Sequence, residues 1–166
     1  MLVVILVVSS ASFCVETMRA IDEANTQVMT ELEYIQQQVE TREQESGSVE
    51  SVAEGYHTAL GGELVIVRDH MVVASNVPGY VGEPAPKVLS SGDVDNYDFL
   101  AGLAAQSMLK GHDEETGEFL GVRALFTDTY TYLITAPLSA MYQTRAATLM
   151  SSAAILVALL ALALQA

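Results

Sequence analysis

Leu64-Val65-Ile66-Val67-Arg68-Asp69-His70-Met71-Val72-Val73-Ala74 reads as two short apolar strands meeting at Asp69-His70, a pair suited to a tight turn. This hairpin is the first firm strand signal in the chain. Before it, the apolar residues recur at helical spacing. After it, Asn76-Val77-Pro78-Gly79 ends the strand, and Pro84 and Pro86 keep a central strand out of the following loop. A helix is expected over 98–109, capped by Asp95 or Asn96. Three strands then follow near 108–112, 119–126 and 130–137, the last rich in β-branched and aromatic residues (Tyr130-Thr131-Tyr132-Leu133-Ile134-Thr135). The sum is an α+β domain: an antiparallel five-stranded sheet with helices on one face.

Upstream, residues 16–45 carry an apolar stripe at Met18, Ile21, Asn25, Val28, Leu32, Ile35 and Val39, the a and d positions of a heptad. The register runs back through Cys14, Ala11, Val7 and Val4. Asn25 at an a position favours a parallel homodimer in fixed register. Packing of the same stripe on the chain's own sheet is the competing reading, and both hold if the helix has two apolar edges. Ser46-Gly47-Ser48 breaks this helix, and a second is expected over 49–60, stopped by Gly61-Gly62.

Charge is partitioned sharply. Residues 1–15 and 146–166 carry none, so all 21 acids and 7 bases, and the net charge of −14, lie between Glu16 and Arg145. The 21 uncharged residues of 146–166 are long enough to cross a hydrocarbon core of roughly 30 Å as a helix. The run 2–15 covers only about 21 Å, and is read as the outer part of a membrane helix whose start lies outside this chain, with a secretory signal peptide and a lipoprotein signal as the alternatives. Few basic residues between the apolar ends fits translocation of 16–145 across the membrane. So acidic a body excludes nucleic acid and anionic headgroups as partners. The single cysteine, Cys14, excludes an intrachain disulfide.

Two stretches and the element order resemble the Cache family of extracytoplasmic PAS-like sensor domains (PDC type). The first stretch is Leu64 through Asn76 with Gly79-Tyr80-Val81-Gly82, similar to that family's first hairpin and glycine loop. The second is Tyr132 through Tyr142, in which Pro137-Leu138-Ser139 resembles the step from last strand to membrane-returning helix. The resemblance covers roughly residues 16–145. It implies binding of a small molecule outside the cell and relay through the terminal helices to a kinase, cyclase, phosphatase or chemoreceptor output that this chain does not contain. A membrane-anchored structural or protein-interaction module without a small ligand is the alternative.

The residues offer little catalytic chemistry: no nucleophile elbow, phosphate loop or metal-protease helix is present, so neither enzyme, cofactor nor metal is expected. The runs 93–98 and 111–115 are better read as a helix cap and an acidic hairpin turn than as cation sites. If residues 127–129 form a three-residue turn, Phe126 faces Tyr130, and Arg123 shares a face with Leu125, Thr131, Leu133 and Thr135. A mid-strand arginine needs an anion. Arg123 is therefore the candidate clamp for a ligand carboxylate, with Thr131 and Thr135 beside it and Tyr80, Tyr97 and His112 in nearby loops. An internal ion pair or an exposed edge position are the plain alternatives.

Overall fold

The computed structural model describes residues 2–85, 94–112 and 119–138; the apolar segment 146–166 lies outside them. The chain order is α1 (Leu2–Gln44), α2 (Glu50–Ala53), β1 (Leu64–Arg68), β2 (Met71–Ser75), α3 (Val94–Gln106), β3 (Leu109–His112), β4 (Phe119–Phe126) and β5 (Thr131–Pro137). The strands make one antiparallel sheet in the order β2-β1-β5-β4-β3. Among the described residues no helix is long and apolar enough to cross a membrane.

The hairpin forms as expected. Arg68 pairs with Met71, and Asp69 and His70 both take left-handed backbone angles (φ 51° and 62°), the signature of a two-residue turn that matches strand twist. Asn76 ties the hairpin to the preceding loop. Its Oδ1 accepts from Leu64 N at 2.7 Å, and its Nδ2 donates to the carbonyls of Tyr56 and Gly62.

The expected helix over 49–60 is a single turn, α2, and its cap region runs into a loop well before Gly61. The helix placed at 98–109 starts earlier and stops earlier, so Asp95 and Asn96 sit inside its first turn instead of capping it. α1 ends where Ser46-Gly47 predicts. Gly47 N donates to Arg42 O and Ser46 N to Glu43 O, with Ser46 left-handed (φ 57°), so two last-turn carbonyls are satisfied.

Helices lie on both faces of the sheet, not on one. Val28, Leu32, Ile35 and Val39 of α1 are fully buried with Leu64, Ile66, Tyr132 and Ile134. Tyr97, Ala101 and Ala104 of α3 are buried with Val65, Val67, Val122, Ala124 and Leu133. Alternate residues of one strand thus enter two separate cores. The unbroken run Leu64-Val65-Ile66-Val67 is apolar because both of its sides are covered.

Candidate functional site

The β4–β5 connection sets which residues share a face. Thr127 N donates to Tyr130 O at 2.8 Å, and Tyr130 N to Thr127 Oγ1 at 3.0 Å, closing a two-residue turn at Asp128-Thr129. Phe126 then pairs with Thr131, Leu125 with Tyr132, Arg123 with Ile134 and Val122 with Thr135. This differs by one residue from the expected register, and one residue moves every side chain of a strand to the other face. Directly paired residues share a face, so Arg123 leaves the sheet on the α1 side with Leu125, Tyr132 and Ile134, although its guanidinium reaches the end of α3. Thr131 and Thr135 stand on the α3 side with Leu133.

The structure therefore brings together part of the expected set and separates its centre. Tyr97, Thr131, Thr135 and Tyr80 belong to the α3 side. Tyr97 is 4% exposed, and its hydroxyl has no hydrogen-bond partner among the described residues. Burial raises its pKa; the nearby Thr131 hydroxyl acts in the opposite direction, and the Asp98 charge acts with the burial. Thr135 Oγ1 is occupied by Glu63 N at 3.1 Å, and the Tyr80 hydroxyl lies 3.4 Å from both Glu63 carboxylate oxygens. His70, from the hairpin turn, meets Asp98 at 3.0 Å and stacks edge-on against Tyr97. The side chain of His112 lies outside the described residues, as do 93 and 113–115 of the two acidic runs.

Arg123 is 7% exposed, yet no carboxylate among the described residues reaches it. β3 covers β4 only as far as the Leu109–Val122 pair. Beyond it, Arg123 Nη1 donates to Ala104 O in the last turn of α3 at 2.7 Å. That turn has no basic residue of its own, so Arg123 supplies the cation favoured at a helix C-terminus. Its Nε is buried and unpartnered, and burial lowers the pKa of the guanidinium.

The proposed helix seam divides. Val28, Leu32, Ile35 and Val39 are each 0% exposed against their own sheet, out of reach of a second helix. Met18 is 68% exposed and Val15 52%; Ile21 and Asn25 are partly covered. Only the first half of the stripe is left for a partner.

Sequence reasoning missed a polar cluster at the far end of α1. Tyr130 Oη donates to Glu43 Oε1 at 2.6 Å, and Arg68 Nη1 lies 3.4 Å from the same hydroxyl with its guanidinium over the Tyr130 ring. Glu43 is 87 residues from Tyr130, and nothing local in the sequence marks the pair. It also missed Tyr56, whose pKa is pushed up to about 12, first by burial and then by the Glu31 carboxylate. Tyr97, Tyr130 and Tyr132 are raised as well, each chiefly by burial. A phenol held neutral in the fold but free to ionise at about pH 10 when unfolded stabilises the native state only up to that pH. Stability to urea should therefore stay level to about pH 10 and fall as pH rises from 10 toward 12. Tyr56→Phe should flatten that decline, and an unchanged slope would show that Tyr56 does not contribute.

No protein-family model matches the chain, and no curated protein is significantly similar to it.

Proposed function

We propose that residues 16–145 form the extracytoplasmic sensor domain of a membrane signal-transduction receptor, and that Arg123 holds an anionic group, a carboxylate, of a small organic ligand. The observation carrying this reading is Arg123 itself: a guanidinium 7% exposed and, among the described residues, bonded to one carbonyl with Nε buried and unpartnered. A buried charge so poorly compensated is expensive unless an anion completes it. The element order on which the resemblance to Cache domains rests is also the order of the fold: long helix, hairpin, helix, three strands.

The test is thermal stabilisation of the full chain, in detergent, by a panel of small mono- and dicarboxylates. At a hundredfold excess over Kd, a bound ligand adds about 2.7 kcal/mol and raises the melting temperature by several degrees. Arg123→Met, compared with its own unliganded baseline, should lose that shift. A full shift in the variant would remove Arg123 from the site, and silence across the panel would remove carboxylates as the ligand class.

One observation favours the protein-interaction alternative. Phe99 and Leu103, one turn apart on α3, are 64% and 37% exposed. An apolar pair facing water on a helix is the kind of surface another protein covers.

A further inference from the structure

A second site lies on the flank of α1, around Glu31 and Tyr56. A groove of about 560 Å³, open to solvent, runs between α1 and the connection from α2 to β1, with Glu31, Tyr34, Tyr56 and His57 among its walls. That size suits a small molecule. Glu31 is fixed at its floor, because Oε1 accepts from Ala59 N at 3.0 Å across 28 residues of chain. Its other oxygen, Oε2, is buried without a hydrogen-bond partner. Among the described residues no lysine or arginine lines the groove. A carboxylate held by one backbone N–H, with the Tyr56 phenol beside it, lacks a cation. Aromatic faces and a carboxylate are the surroundings that suit an organic ammonium. Tyr34 is 52% exposed and can turn to admit one. The acidic body, with net charge −14, concentrates cations at its surface.

We infer that this groove binds a small organic ammonium, its charge against Glu31 Oε2 and its alkyl groups against Tyr34 and Tyr56. The site is independent of the carboxylate reading, sharing neither residues nor ligand charge with Arg123.

Butylammonium and tetramethylammonium chloride are the probes, added to the full chain at constant ionic strength with sodium chloride as the reference. The chain has 7 tyrosines and no tryptophan, so tyrosine fluorescence reports directly. The expected result is a saturable change with at least one ammonium and none with sodium. Glu31→Gln should weaken binding tenfold or more, since glutamine keeps the acceptor for Ala59 N but not the charge. Tyr34→Ala, at an exposed position, should weaken it several-fold without altering the melting temperature. An equal response to sodium, an unchanged affinity in Glu31→Gln, or binding of a lysine-rich peptide but of neither ammonium salt would overturn the inference. Failure here leaves the carboxylate assay untouched, and the reverse holds too.

Discussion

Gly62→Ala is expected to destabilise the domain by about 4 kcal/mol or more, a large part of the roughly 5–15 kcal/mol that holds a domain of this size together. The added Cβ would overlap the Thr135 carbonyl oxygen and lie 3.1 Å from Ala136 Cα. Both are backbone atoms of β5, the middle strand, so no side chain can swing aside. Nor can the loop retreat freely: Gly62 O accepts from Thr58 Oγ1 at 2.8 Å and from Asn76 Nδ2 at 3.3 Å. Gly61→Ala is the control. Gly61 has φ 71° but open space around a Cβ, so only the left-handed backbone is strained, at roughly 1–2 kcal/mol. Urea unfolding followed by circular dichroism separates the two. Equal midpoints for both variants would mean that β5 yields easily and the close approach is unimportant.

Leu32→Ala should cost about 2–5 kcal/mol through the cavity it leaves. Leu32 is 0% exposed and packs with Ile35, Ile66 and Tyr132. The loss should not depend on protein concentration, because the cavity lies between the helix and its own sheet. A seam residue in a dimer would behave differently, its effect shrinking as concentration rises. Met18→Ala supplies that contrast: at 68% exposure it should change unfolding of the single chain by less than about 0.5 kcal/mol. Concentration-dependent melting of Leu32→Ala would instead place that side chain between two chains.

Much of this architecture could be read from local chemistry. Asp69-His70 between two apolar runs announced the hairpin, and the strand content of 130–137 announced β5. The long helix followed from its stripe. What misled was information that is not local. Residues 127–129 suit a three-residue turn as well as 128–129 suit a two-residue one, and the choice is made by the Thr127–Tyr130 hydrogen bonds. That single residue decided the face of Arg123 and divided it from Thr131 and Thr135. The second face of the sheet was signalled by the uninterrupted Leu64-Val65-Ile66-Val67, which alternation alone would not produce. The stripe on α1 was ambiguous in principle, since Leu32 and Ile35 look the same whether the covering surface is another helix or a sheet. The groove at Glu31 was hidden because Glu31 and Ala59 approach only through the tertiary fold.

The unbroken course of α1 has a mechanical consequence. From Leu2 to Val28 the helix is continuous, a rigid rod of about 40 Å. Its other half is clamped by Val28, Leu32, Ile35 and Val39. A tilt of about 5° at the clamp would displace Leu2 by about 3 Å, with no bend or unwinding along the way. The sheet and this rod form a lever, in which sub-ångström repacking beneath Leu32 is magnified severalfold at the far end.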